Sequence, residues 1–157
     1  MSTPSPTEVR WLSAGQQAHW RAYLVATARL QDALGRQLER DSDLSLSEYE
    51  VLVRLSEAPG RTLRMSLLAD ELAHSRSRIT HTVRRLESAG LVERQACDSD
   101  GRGVNCHMTD AGFARLEAAA PGHVQAVRAH LVDVLTDDQL GALGDAMAAV
   151  RDALEPA

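Results

Sequence analysis

The sequence predicts a mainly α-helical fold carrying one small β-hairpin, and three observations lead there. Apolar residues recur at steps of three and four through most of the 157 residues. That period gives way to strict alternation twice, over Leu91–Gln95 and over Val104–Met108, with a turn-rich segment between. Helix-start and helix-stop residues stand at the seams, among them Pro59-Gly60, Gly90 and Thr136.

The elements follow in order. A first helix is predicted over residues 16–40, where Trp20, Tyr23, Leu24, Thr27, Leu30, Leu34 and Leu38 form one stripe. Residues 1–15 ahead of it, opening with a Ser/Thr/Pro-rich run, read as a flexible terminus. After the polar break Asp41–Leu46, Ser47 to Glu50 matches a capping box that opens a helix carrying Tyr49, Leu52, Val53 and Leu55 and stopping at Pro59-Gly60. A third, shorter helix, Ser66–Ala73, is expected to turn Leu67, Leu68 and Leu72 inward. A fourth runs from Ser75 to Ala89, with Gly90 as its stop. The two alternating segments form a hairpin whose tip is Asp98-Ser99-Asp100-Gly101-Arg102-Gly103. Thr109 begins a helix carrying Phe113, Leu116, Val124, Val127, Leu131 and Leu135, which Pro121-Gly122 is expected to kink or interrupt. A capping box at Thr136–Gln139 opens the last helix, with Leu140, Leu143, Met147, Val150 and Leu154 in 3-4-3-4 spacing. Three helices followed by a two-stranded hairpin is the winged helix-turn-helix order.

Composition bounds the function. The formal net charge of −5 argues at first against nucleic acid, but residues 110–157 hold eight acids against three arginines, so the rest of the chain is neutral. Within that part arginines crowd into 61–102, and no lysine occurs anywhere. No apolar run approaches the roughly 20 residues that span a bilayer, and the N-terminus lacks the layout of a secretory signal. The expected location is the cytoplasm, with no membrane partner, and Cys97 and Cys106 as reduced thiols.

The fourth helix carries the chemistry. Wound at about 100° per residue, it places Ile79, Val83 and Leu86 on one face and Ser77, His81, Arg84 and Ser88 opposite, flanked by Thr80 and Arg85. A polar face of this kind is ordinarily just solvated, but here a helix, a turn and a wing surround it. Arg84 can donate two hydrogen bonds to a guanine edge, and the small hydroxyls permit close approach in the major groove. Arg76 and Arg78, near the helix N-terminus and to the side of that face, suit phosphates. Arg102 stands between glycines at the hairpin tip, able to enter a minor groove, with Asp100 placed to hold its guanidinium.

These residues carry a family likeness. The run Leu67–Leu72, followed by Ser75–Val92, resembles the helix-turn-helix of the MarR family of bacterial transcriptional regulators. Asp100, Arg102, Cys106, Met108 and Thr109 are similar to its wing pattern, and the likeness extends from Gln16 to Leu154. The resemblance implies a repressor that binds double-stranded DNA, with the fourth helix in the major groove and Arg102 in the minor groove. It also implies a homodimer through the terminal helices, 16–40 and 110–157, around a DNA-binding region at 44–109. Small aromatic effectors bind such proteins between the two parts, and Trp20 and Tyr23 are candidate lining residues, although their helical spacing by itself favours a dimer core. Cys106 and His107-Met108 depart from the family's valine-rich strand.

The dimer has its own physical basis, since the terminal helices present apolar stripes that one winged domain cannot cover. Two recognition helices about 34–36 Å apart then read a near-palindromic site. Other classes fit less well. The six histidines are scattered, without a nucleophile, phosphate loop or metal-ligand spacing, so neither an enzyme nor a cofactor or metal is expected. Cys97, Cys106 and His107 supply only three ligands to a four-ligand zinc site. A thiol-based redox sensor is an alternative, weakened because Cys97 adjoins Asp98 and has no cationic neighbour in sequence. An interaction module without DNA binding is the remaining one.

Overall fold

The computed structural model describes residues 9–97 and 102–154. In chain order these form α1 (Ala14–Ser42), α2 (Leu46–Glu57), β1 (Thr62–Arg64), α3 (Met65–Glu71), α4 (Arg76–Ser88), β2 (Val92–Ala96), β3 (Val104–Met108), α5 (Asp110–His130) and α6 (Asp137–Leu154), with short 3₁₀ turns at Pro59–Arg61 and Val132–Val134. The mainly helical fold with a small wing is as the sequence predicts.

Helix boundaries follow the caps. At α1, Ser13 Oγ accepts from the Gln16 N–H and Gln16 Oε1 accepts from the Ser13 N–H, so the helix starts inside the segment expected to be a flexible terminus. At its other end Asp43 takes the left-handed conformation, φ 52°, and Arg115 Nη1 donates to the Ser42 carbonyl at 3.1 Å. The capping box of α2 is Ser45 with Glu48, not Ser47 with Glu50. Ser45 Oγ accepts from the Glu48 N–H at 3.1 Å, and the Glu48 carboxylate accepts from the Ser45 N–H at 2.8 Å. Both pairs satisfy the sequence pattern. The earlier one is used because Leu44, just ahead of the cap, and Tyr49, one turn in, are both buried. The box at Thr136 and Gln139 forms as predicted.

The wing has three strands. β1, too short to alternate visibly, pairs antiparallel with β3 (Leu63 opposite Cys106), and β2 pairs with the other edge of β3 (Val92 opposite Met108). The order β1-β3-β2 joins the turn before α3 to the wing. Two further expectations change. Leu67 is exposed and Leu68 alone of that pair enters the core, because α3 is only two turns long and shows one narrow face inward. Helix α5 runs through Pro121-Gly122 uninterrupted, ending at His130 rather than continuing to Leu135. A proline removes one N–H from the ladder, a loss that packing of α5 along α1 can outweigh. Gly122 serves that packing, since a Cβ there would lie 3.1 Å from Gln37 Nε2.

The core gathers Leu38 of α1, Leu44, Leu52 and Leu55 around α2, Leu68 of α3, Ile79, Val83 and Leu86 of α4, and Cys106 and Met108 of β3. Gly112 seats α5 on the wing so closely that a Cβ would fall 2.1 Å from the Leu91 carbonyl oxygen. Away from this core, α6 buries no residue, leaving Leu143, Met147, Val150 and Leu154 exposed. Trp20, Tyr23, Leu24 and Val25 of α1 are likewise exposed. No described helix is long and apolar enough to cross a membrane.

Candidate nucleic-acid interface

Helix α4 begins at Ser75, whose Oγ accepts from the Arg78 N–H at 3.2 Å. Ile79, Thr82, Val83 and Leu86 are buried, and Ser77, His81, Arg84 and Ser88 are exposed on the opposite side. The amphipathic division read from the sequence is therefore present, with Thr82 added to the inner face.

The two arginines beside the outer face reach back to α2. Arg78 Nη2 donates to Ser47 Oγ at 2.7 Å, and Arg85 Nε donates to Glu48 Oε1 at 2.9 Å. Glu48 is nearly buried and already holds the α2 cap through its other oxygen, so Arg85 neutralises a carboxylate that solvent reaches poorly. These links fix the rotation of α4 on α2. Arg76 and Arg84 remain exposed on α4. Thr80 and Ser88 donate their hydroxyl protons to the carbonyls one turn back, those of Arg76 and Arg84.

The wing is fastened to α4 by Glu87, which accepts from the Arg94 N–H at 3.1 Å and from its guanidinium at 3.0 and 2.8 Å. Those hydrogen bonds hold the Glu87 carboxyl below the usual carboxylate range. At the base of the wing the Cys97 N–H donates to the Gly103 carbonyl at 2.9 Å. Arg64, at the end of β1, donates to Cys97 Sγ at 3.5 Å. Between α3, α4 and the wing lies a cleft of about 400 Å³ whose walls include Arg64, Ser66, Arg76, Thr80 and Arg102. The fold thus brings Arg76 and Thr80 of the helix beside Arg102 of the wing, twenty-odd residues away in sequence. Asp100 lies outside the described residues.

The thiols separate. Cys106 is fully buried and burial pushes its pKa up to about 12, which suits a small core residue. Cys97 is half-buried and, contrary to the expectation from the linear sequence, has a cationic neighbour in the Arg64 guanidinium. His107 accompanies neither thiol, sharing a hydrogen bond of 2.9 Å with Thr62 Oγ1 through its Nδ1.

A second cleft, of about 500 Å³, opens between α1, α2 and α5, lined by Leu30, Leu34, Tyr49, Glu50, Val53 and His123 among others. Trp20 and Tyr23 do not line it. They stack on each other on the exposed face of α1, ring centroids 5.8 Å apart. The His123 ring packs on Tyr49 at 4.3 Å, and burial lowers its pKa. His74 stands 3.7 Å from Glu50 with its pKa lowered, chiefly by burial and then by Arg78. Arg64, Glu48, Tyr49 and His123 were not marked by sequence reasoning. Only Glu48 left a signal there, as the third residue after Ser45.

A polar, arginine-bearing helix set against a three-stranded wing, on a scaffold with long terminal helices, defines a winged helix-turn-helix protein. The chain belongs to the MarR family of transcriptional regulators. The MarR family model matches residues 42–103. Sco3205 of Streptomyces coelicolor, a MarR family transcriptional regulator solved in complex with DNA, is 45% identical, with a TM-score of 0.92 over 95% of this chain and 94% of that one. AbsC, a MarR family transcriptional regulator of the same organism, is 37% identical, with a TM-score of 0.87 over 93% of this chain and 98% of its own. The HTH-type transcriptional regulator PecS of Dickeya dadantii (strain 3937) is 33% identical over 84 residues, 52% of this chain. That match spans only half of PecS, 50% of its length.

Proposed function

We propose that this protein is a homodimeric, sequence-specific DNA-binding repressor that reads a near-palindromic operator and is released from it by a small molecule. The observation that carries the reading is the exposed face of α4 (Ser77, His81, Arg84) lying beside a cleft shared by Arg76 and Arg102. Similarity to Sco3205, which was solved with DNA, supports it. In this reading Arg84 and His81 address base edges in the major groove, with Ser77 and Thr80 allowing close approach. Arg76 contacts phosphate, and Arg102 enters the adjacent minor groove. Arg78 and Arg85 contribute charge near the phosphates while holding α4 to α2.

The region 44–109 is then the DNA reader, and 16–40 with 110–157 the dimer frame. The stacked Trp20–Tyr23 pair and the exposed apolar side chains of α6 fit the seam between two copies. The effector's seat is the cleft between α1, α2 and α5, where Leu30, Leu34 and Val53 offer apolar walls and Tyr49 and His123 offer ring faces. Helix α2 lines that cleft and holds the recognition helix through Ser47 and Glu48, so a ligand that moves α2 moves α4. A ligand that prefers one spacing of the two recognition helices lowers DNA affinity, and DNA weakens the ligand by the same factor.

The test is a titration on DNA from upstream of the protein's own gene, at two salt concentrations beside unrelated DNA. Selective binding of two protomers per site that weakens steeply with salt is the expected result. Absence of salt-dependent affinity for any duplex overturns the reading and leaves an interaction module. Arg64 beside Cys97 favours a second reading, thiol control of the same site. Peroxide would then release DNA from the wild type and not from Cys97→Ser.

A further inference from the structure

We propose that Arg64 is a wing-positioning residue, whose guanidinium clamps both strands of the β2–β3 hairpin to the start of α3 and so sets where Arg102 stands relative to α4. The proposal rests on the reading of α4 and the wing as a DNA-binding surface, and names a residue that acts through the wing.

Three observations converge. Arg64 is both the last residue of β1 and the N-cap residue of α3, a position that makes no side-chain cap and leaves its side chain to be used elsewhere. Its Nη2 lies 3.5 Å from Cys97 Sγ, just past the end of β2. Its guanidinium also covers Gly103, just before β3. A Cβ at Gly103 would lie 3.1 Å from Arg64 Cζ and 3.2 Å from Nε and Nη2. The backbone of those two wing residues is joined by the Cys97 N–H to Gly103 carbonyl bond. One planar group therefore packs across the neck of the hairpin, where the Cys97 to Gly103 hydrogen bond joins its two sides.

The mechanical consequence follows from sheet order. A two-stranded hairpin is marginal by itself, and this one gains a third strand only along β3, through β1. The register pairs Arg64 with Asn105, so backbone pairing to β1 ends two residues short of Gly103. Beyond that point the Arg64 side chain carries the connection. Arg102 adjoins Gly103, and both line the cleft that also holds Arg76. Holding the neck holds the spacing between the arginine that enters the minor groove and the helix in the major groove. Gly103 lets the guanidinium lie close against the neck, since a Cβ there would make it give way by a few tenths of an ångström.

The experiment combines hydrogen exchange without DNA and binding with it. In the full-length protein, Arg64→Met and Arg64→Lys are expected to speed exchange at the Cys97 amide, which donates to the Gly103 carbonyl, about tenfold, core amides of α2 and α4 staying unchanged. Gly103→Ala, which keeps Arg64, is expected to do the same to a lesser extent. On a duplex selected from a random pool by the wild type, Arg64→Met raises Kd about tenfold. In that background Arg102→Ala adds little, because the wing is no longer held in place. Arg64→Lys keeps the charge without the fork and does not restore affinity. Unchanged exchange at the wing neck overturns the proposal. So do additive losses from Arg64→Met and Arg102→Ala, or full rescue by lysine, either of which makes Arg64 a simple phosphate contact. If the wild type selects no duplex, the DNA-binding reading fails, while the exchange result still decides the clamp.

Discussion

In the proposed reading Arg84 and Arg102 bring the same charge to one duplex, yet their surroundings would give them different tasks. Arg84 stands exposed on α4, and the proposal assigns it a bidentate contact that discriminates between base edges. Arg102 stands at the wing, and the proposal gives it a minor-groove contact in which groove width and potential matter more than base identity. Arg84→Ala is expected to cost about 1–3 kcal/mol and to relax preference at one operator position. Arg102→Ala should weaken binding with less change in preference. A panel of single-base operator variants separates the two, and the reverse pattern would exchange the roles. Arg85 differs from both because its partner is Glu48, only 5% exposed. Removing the guanidinium leaves that carboxylate without its cation, although Arg85 itself is open to solvent. Arg85→Ala is therefore expected to lower folding stability by about 1–2 kcal/mol, with Glu48→Gln milder because it keeps an acceptor for the Ser45 N–H. Urea denaturation reads this directly. Unchanged stability with a large loss of DNA affinity would make Arg85 a DNA contact instead.

Helix α2 lines the second cleft and is bonded to α4, which lines the first. One end of it receives Arg78 and Arg85 from α4, and its flank meets His74 and His123. Both histidines have a buried Nδ1 with no hydrogen-bond partner among the described residues, and burial lowers both pKa values from 6.5. The folded state thus takes up protons less readily than the unfolded one. Stability from these groups is whole above pH 6.5 and is lost as pH falls from there toward their folded pKa values. Thermal melts at constant ionic strength should show a level Tm above about pH 7 and a decline between about pH 6.5 and 5. Replacing both histidines with asparagine should flatten that slope. A slope that survives the double substitution would assign it to other groups.

At the scale of the whole molecule, the largest unanswered burial is that of the terminal helices. A helix with no buried residue and a 3-4-3-4 apolar stripe does not hold its place alone. Exposed Leu143, Met147, Val150 and Leu154 on α6, with Trp20, Tyr23 and Val25 on α1, supply the surface that a two-fold partner would cover. Leu143→Asp with Met147→Asp is expected to yield monomers in sedimentation velocity, because each buried carboxylate would lack a partner. Operator affinity should fall at least a hundredfold, since half-site binding loses the effective concentration of the second reader. A dimer that survives both substitutions would place the seam elsewhere.

Periodicity determined what local chemistry can determine. Ile79, Val83 and Leu86 inward, Ser77, His81 and Arg84 outward, and the caps at Ser75, Thr109 and Thr136 were all legible because each depends on residues within a turn or two. The choice between Ser45 and Ser47 as cap was not, since both fit the local pattern and burial of Leu44 and Tyr49 decides it. Nor was the uninterrupted course of α5 through Pro121, where packing on α1 outweighs a local preference. The strand Thr62–Arg64 exists only because β3 lies beside it. Arg64 against Cys97 and Gly103, Arg85 on Glu48, and His123 on Tyr49 join residues more than thirty positions apart. The sequence by itself determined the order of helices and hairpin and the face that α4 presents. Tertiary structure alone decided which arginines tie α4 and the wing to the rest of the fold and which stand exposed on α4, because ion pairing and burial depend on distances that only the folded chain brings about.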